Sequence, residues 1–530
     1  MKIIALVLLN FLWLSGCSSG DSQRGMTRKN TLVVAWAKDI TTLDPACADG
    51  WESAEVISQI YEGLVYEDPD THQVKMRLAQ SVKSSENGLV WDVKVREGIK
   101  FHNGMVLNAQ AVAFSFKRQM EAVQKGTSSK YNCNFSYWKA YFNMIDDVKV
   151  ISDYAVRFTL KYNYAPFLKM LEIFSVYIVA PFSEEKPDSL DKNPVGTGPF
   201  KIHRRMEGRV VLKRNSAYWN SKLKASYEYL VFQTIPENRQ RVLALEGGQA
   251  DIAYHLDPEG HLAIGLHPSL ALKKVQSVNV AYLALNTQKY PFSIRQNRIA
   301  ANHLIDRDKI NKMVYQGTGD TANAPIPPYL TIDGIKIYKK SWPWYEYNQA
   351  RALELFREGG FAEQMASKPL NLYVIRNPRG TLPNPLLMAN LIRNDFRRMG
   401  IEVKIHALEY RDYKTALATG KHEMAIHSWI GDLWDPDNFL FGLLHYSSTG
   451  TNYSKFNDSA YNEAVYKGRT IDKPSLRAEF YRKALDIFKN EAPWVPLVYA
   501  KIVVAYNKRV LNLKHNMDTT TLYNLVRLED

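Results

Sequence analysis

Apolar and polar positions change period several times along this chain. Thr31-Leu-Val-Val-Ala-Trp36 is an almost unbroken apolar run of strand length, and Ala155-Val-Arg-Phe-Thr-Leu160 alternates, so both are predicted strands. Over 108–121 and 385–399 apolar residues return at helical spacing behind a capping residue or a proline, which predicts helices. The clearest unit is strand 372–375, loop 376–384, helix 385–399 stopped by Gly400, then strand 401–405. That is a βαβ crossover, and it makes the chain α/β. Such a crossover delivers the loop after its first strand to the carboxyl edge of the sheet, where open α/β sheets bind ligands. Arg376 and Arg379 lie in that loop, while a later strand, 424–427, runs into a loop carrying Trp429, Asp432 and Asp435. Two loops of opposite charge are thus expected to face one cleft. No solenoid or propeller repeat is present.

The N-terminus has a different pattern. Lys2 precedes an apolar stretch over 3–14, interrupted only by Asn10, and small residues follow before Cys17. That is the layout of a secretory signal over 1–17, and it is too short for a membrane span of roughly 20 residues. With 530 residues, two or three domains are expected. No Pro/Gly/Ser-rich linker divides them, so short crossings of the kind that hinge must join them. Charged residues at 23% and hydrophobic ones at 46% fit a globular body. The net charge of +14 is dispersed, which suits a solvated surface and gives no reason to expect nucleic acid as a partner. Nucleophile elbow, phosphate loop, dinucleotide fingerprint and zinc-protease spacing are all missing, and His422-Glu423 lacks a second histidine. No catalytic residue, cofactor or metal ligand is therefore nominated.

Leu14-Ser15-Gly16-Cys17 resembles the lipobox of bacterial lipoproteins. That likeness implies acylation of Cys17 as the new N-terminus, with 18–29 as a flexible tether to a membrane. Cys47 and Cys133 then remain, an even number that permits a disulfide in an oxidising compartment. Beyond the leader, Thr42-Leu-Asp-Pro45, Tyr61-Glu-Gly-Leu64, Trp91-Asp-Val-Lys-Val-Arg-Glu-Gly-Ile-Lys-Phe-His-Asn-Gly104, Asn193-Pro-Val-Gly-Thr-Gly-Pro-Phe200 and Leu285-Asn-Thr287 follow in order. Together they resemble the peptide-binding branch of the solute-binding proteins that serve ABC importers. The resemblance implies the type II periplasmic-binding fold: two main lobes joined by a hinge, plus an inserted lobe. Lobe I would comprise 30–55, 190–280 and 506–530, lobe II 56–189, and lobe III 281–505. It also implies extracytoplasmic location on the periplasmic side, short peptides as ligands in a closing cleft, and permease subunits as partners.

Trp429-Ile-Gly-Asp-Leu-Trp-Asp-Pro-Asp-Asn-Phe439 and Asn452-Tyr-Ser-Lys-Phe456 are most similar to the dipeptide binders. The likeness implies that Asp432 pairs with a peptide's α-ammonium and that Arg379 holds its α-carboxylate. Arg376 is close enough to take the place of Arg379, and Gly431 and Trp429 complete the ligand loop. A zwitterionic dipeptide suits such a clamp, since a guanidinium fork matches a carboxylate in two hydrogen bonds. Cys47 and Trp51 fall near the cleft of relatives, Tyr131, Phe135 and Trp138 read as core of the second lobe, and His102 belongs to a structural turn. The same architecture also serves haem, muropeptide and nickel-chelate receptors, and a surface adhesin or chaperone is a further alternative.

Overall fold

The computed structural model describes residues 25–182, 189–338, 344–361, 368–516 and 520–529. Cys17 and most of the expected tether lie outside them. Within 25–29, Gly25 accepts a hydrogen bond from Asn30 at 2.7 Å and Arg28 accepts one from Arg509 at 2.8 Å, so this stretch rests on the body.

Among the described residues, the strands form three main sheets. The first has seven strands, in the order Leu270–Val275, Ile502–Asn507, Ile252–Ala253, Thr31–Trp36, Tyr229–Thr234, Arg209–Arg214 and Phe200–Met206. Thr31–Trp36 is central and parallel to both neighbours. Leu32, Val34, Ala35 and Trp36 are buried, and a parallel strand covered on both faces reads as an apolar run for that reason. The second sheet is antiparallel and has four strands, in the order Ala79–Ser84, Val90–Val95, Ala155–Leu160 and Ile145–Ser152. Here alternation has its ordinary cause. Val156, Phe158 and Leu160 enter the core, while Arg157 points out to Asp92 at 2.7 Å. Helix Ala109–Gln124 packs on this sheet, capped by the Asn108 side chain on the Ala111 N–H.

The third sheet is six-stranded: Asp320–Thr321, Trp494–Tyr499, Asn279–Leu285, Met424–Ile430, Leu370–Ile375 and Val403–Leu408. Leu370–Ile375, helix Pro385–Arg398 and Val403–Leu408 make the expected parallel crossover. Asn384 caps the helix on the Leu387 N–H, and Gly400 ends it with φ +77°, a left-handed backbone that glycine adopts without strain. One expectation changes. The strand expected over 424–427 continues to Ile430, so Trp429 belongs to the strand and not to the loop.

The chain passes between the first and third sheets twice, at 275–279 and 499–502. Buried Asn279 stitches the crossings together. Its Nδ2 donates to Ala500 O at 2.7 Å and Ser277 O at 3.0 Å, and its Oδ1 accepts from Ala500 N at 2.8 Å. Two adjacent crossings tied by one side chain are the geometry of a hinge.

Candidate ligand-binding site

Strands Leu370–Ile375 and Met424–Ile430 are parallel neighbours in the third sheet, so their carboxyl ends open on the same edge. Arg376 and Arg379 follow the first strand and Gly431 and Asp432 follow the second. A hydrogen bond of 3.0 Å from Thr381 Oγ1 to Ser428 Oγ ties the first loop to the second strand.

The Asp432 loop is fixed at both sides. Gly431 N donates to Val278 O at 2.6 Å, which anchors it to the hinge crossing. A β-carbon on Gly431 would stand 2.8 Å from the Phe439 ring and 3.1 Å from Val278, so only glycine fits there without displacement. Asp432 then reaches across to the inserted lobe. Tyr137 donates to its Oδ1 at 3.0 Å and Tyr141 to its Oδ2 at 2.5 Å, the short distance of a charge-assisted bond. Burial, followed by the Asp432 charge, pushes the Tyr141 hydroxyl well above its ordinary range, so it remains a donor. Leu433 joins the core of the inserted lobe, Trp434 stacks on His72 at 4.8 Å, and Lys169 donates to Trp434 O at 2.7 Å. Asp435, part of an Asp-Pro turn in the sequence, makes that turn, its Oδ1 accepting from Asp437 N at 3.0 Å, and is also fully buried against Arg477, whose Nη2 donates to both carboxylate oxygens at 2.9 and 3.1 Å.

The Arg379 loop is looser. Arg376 is exposed and pairs with Glu409 at 3.4 Å. Arg379 lies over the Tyr410 ring with its guanidinium carbon 4.0 Å from the centroid, and it has no carboxylate partner among the described residues. His427 lies close by. Burial, then Arg379 and Lys414, pull it down to about 3, which keeps it neutral at ordinary pH. Next to Arg379, a β-carbon on Gly380 would stand 3.9 Å from His255 Nε2, so this loop faces the first lobe. Trp429 is half-buried against the third-lobe core and donates through Nε1 to Asn438 at 2.8 Å.

Residues 73–451 match the family described as bacterial extracellular solute-binding proteins, family 5. The chain belongs to that family. As a family 5 protein it is a solute-binding receptor of the ABC-importer type and not an enzyme. It is 30% identical over 523 residues to di/tripeptide-binding protein 2 of Pseudomonas aeruginosa, covering 94% of this chain and 96% of the relative. Heme-binding protein A of Haemophilus influenzae is 29% identical over 507 residues, covering 91% and 89%. The solved structure of the binding protein DppA from Helicobacter pylori in complex with the peptide STSA superposes with a TM-score of 0.78, at 29% identity and over 94% and 98% of the two chains.

The candidate site also gathers residues that no sequence motif marks. Of the aromatic residues expected in the core, Phe135 and Trp138 are buried, whereas the residues that bond Asp432 are Tyr137 and Tyr141. Their spacing of four, on a segment with Trp138–Phe142 wound helically, was the available signal. From the first lobe, His255 sits beside Trp51 and Trp36 at ring separations of 5.0 and 5.7 Å. Its backbone is left-handed at φ 56°, uncommon outside glycine, and burial, then Arg241 and Lys38, lower it to about 4. The buried Trp51 Nε1 has no hydrogen-bond partner among the described residues. Cys47 and Cys133 form a disulfide that links the loop after Asp44 to the segment leading into Tyr137 and Tyr141. His102 bonds Gly198 O at 3.0 Å, joining the second and first lobes, and burial lowers it to about 4.

Proposed function

We propose that this receptor binds short peptides, di- to oligopeptides, in the cleft between its lobes and delivers them to an ABC permease. In this reading the α-ammonium pairs with Asp432 and the α-carboxylate with Arg379, while Gly431 and Trp429 shape the wall between them. The observation that carries it is the placement of a carboxylate and a carboxylate-free guanidinium on adjacent parallel strand ends, each loop turned toward another lobe. This reading takes Arg379 before Arg376 because Arg376 pairs with Glu409 at 3.4 Å, whereas Arg379 has no carboxylate partner among the described residues. Lobe III, over 281–505, would close on lobe I through the crossings held by Asn279, and the closed form would be the one the permease recognises. The lobe boundaries 30–55, 190–280 and 506–530, 56–189, and 281–505 belong to this proposal. So does a lipid on Cys17 that holds the receptor on the periplasmic side of a membrane.

The rival reading is haem, supported by the relative named heme-binding protein A. Haem carries carboxylates but no ammonium group, so it offers Asp432 nothing to pair with. Calorimetry with a dipeptide set, repeated in the presence of haem, separates the two. Dipeptide binding that Asp432→Ala removes supports the peptide receptor; haem binding indifferent to Asp432, with no dipeptide binding at about millimolar concentration, would reject it.

A further inference from the structure

A second cavity, of about 320 Å³, lies where the inserted lobe meets the Tyr218 to Leu223 segment of the first lobe. It shares no residue with the Asp432 and Arg379 loops. Its volume falls in the range of small-molecule sites. Its lining carries three cations, Arg77, Arg96 and Lys222, and no acid. Two aromatic faces support the guanidinium groups: the Arg77 carbon lies 4.5 Å from the Tyr66 ring centroid and the Arg96 carbon 5.9 Å from that of Trp219.

Which of these charges is already used decides what the cavity can take. Behind the wall, buried Glu62 lies 3.9 Å from Arg77 and accepts from Thr197, Tyr218 and Trp219 at 2.8, 2.7 and 2.8 Å. It offsets Arg77. In the adjoining cavity Asp70 is held by Lys514 at 2.8 Å, and Asp68 accepts from the backbone of Asp70 and Thr71. Arg96 donates only its Nε, to Arg77 O at 2.7 Å, and Lys222 has no ion pair among the described residues. The terminal guanidinium nitrogens of Arg96 and the Lys222 ammonium are left to the cavity. Three cations less one carboxylate leave an excess of two positive charges.

We propose that this cavity is a second ligand site that takes the phosphate group of a small phosphorylated molecule. A phosphate carries a charge of about −1.5 to −2 at neutral pH and three acceptor oxygens, which matches that excess. The planar fork of Arg96 suits two of those oxygens and Lys222 supplies a point charge for the third. The rings of Trp219 and Tyr66 bound the space left for the organic remainder. The phosphate can come from a soluble monoester or from the monoester headgroup of phosphatidic acid at a membrane surface.

The test uses calorimetry on the intact receptor with inorganic phosphate and glycerol 3-phosphate, and flotation with phosphatidic acid vesicles against phosphatidylcholine vesicles. Glycerol 3-phosphate is expected to bind, with the Arg96→Gln/Lys222→Gln variant weakened at least about tenfold and dipeptide affinity unchanged within about twofold. Flotation of the native protein, and not of the variant, with phosphatidic acid vesicles, without binding of the free phosphates, would assign the headgroup as the source. The proposal is overturned if neither probe binds at about millimolar concentration, or if binding is the same in the variant. Because the cleft and this cavity share no residue, failure here leaves the peptide reading untouched, and the converse holds.

Discussion

The two loops that leave the third sheet side by side are held to very different degrees. Gly431 to Asp437 is buried or nearly so along its length, pinned to the hinge by Val278 and to the inserted lobe by Tyr137, Tyr141, Lys169 and Tyr164. Arg376 to Gly380 is exposed, and Arg379 rests on one tyrosine ring. The Asp432 carboxylate is therefore held by two hydroxyls on a well-anchored loop, whereas Arg379 rests on a single ring. In the proposed reading, the held end would fix where a peptide starts. The looser end would let its far terminus fall at different distances. Preorganisation contributes most where geometry never changes between ligands, which for peptides is the α-ammonium.

The sharpest way to break this comparison is Asp432→Ala. Leaving a ligand ammonium unpaired in a closed cleft costs about 3–5 kcal/mol, a loss on the order of a hundredfold or more in dipeptide affinity by calorimetry. Arg379→Ala should cost less, about 2 kcal/mol on dipeptides, and clearly less on longer peptides. Equal losses across lengths would mean that the looser end is no clamp. Tyr141→Phe removes one charged hydrogen bond while Tyr137 remains, so a loss of about 1.5 kcal/mol, roughly tenfold, is expected. Arg376→Ala should change affinity by no more than about 0.5 kcal/mol, since its pair with Glu409 is exposed. If Arg376 outweighs Arg379 in a side-by-side titration, their assignments must be exchanged.

The smallest effect is expected from pH. His255 and His427 have folded values lowered from 6.5 to about 4 and about 3, so they stay neutral and dipeptide affinity should be flat through the 6.5 region. A step there would show that one of them titrates normally. Stability behaves differently. Below 6.5 the unfolded chain takes up protons that the folded histidines refuse, so stability is full above 6.5 and declines as pH falls toward about 4. Thermal unfolding across that window should follow this slope, and replacing His427 with Gln should make it shallower by one histidine's share while His255 and His102 keep the rest.

How far the sequence reveals this arrangement depends on whether a feature is local. The apolar run at Thr31–Trp36, the capped helix behind Asn384 and the glycine stop at Gly400 obey near-neighbour rules, and all of them are legible. So is the sharing of one sheet edge by Arg379 and Asp432, because a parallel crossover allows few alternatives. Tyr137 and Tyr141 are a different case. They lie almost 300 positions from Asp432, and their spacing of four places them on one face without indicating which distant residue they meet. Asn279 is likewise an ordinary strand residue until Ala500 is brought beside it. Asp435 is legible by half: Asp-Pro reads as a turn, which its Oδ1 makes by accepting from Asp437 N, but the buried ion pair it also forms comes from Arg477 on a distant helix.

The most direct test of the central claim blocks the ligand instead of the protein. Calorimetry would compare a dipeptide with its N-acetylated form on the native receptor and on Asp432→Ala. If Asp432 holds the α-ammonium, acetylation should cost the native protein about 3–5 kcal/mol, and the mutant should bind the two forms equally, within about 0.5 kcal/mol. A penalty for acetylation that persists undiminished in Asp432→Ala would contradict the account, because the ammonium would then be held by some other group.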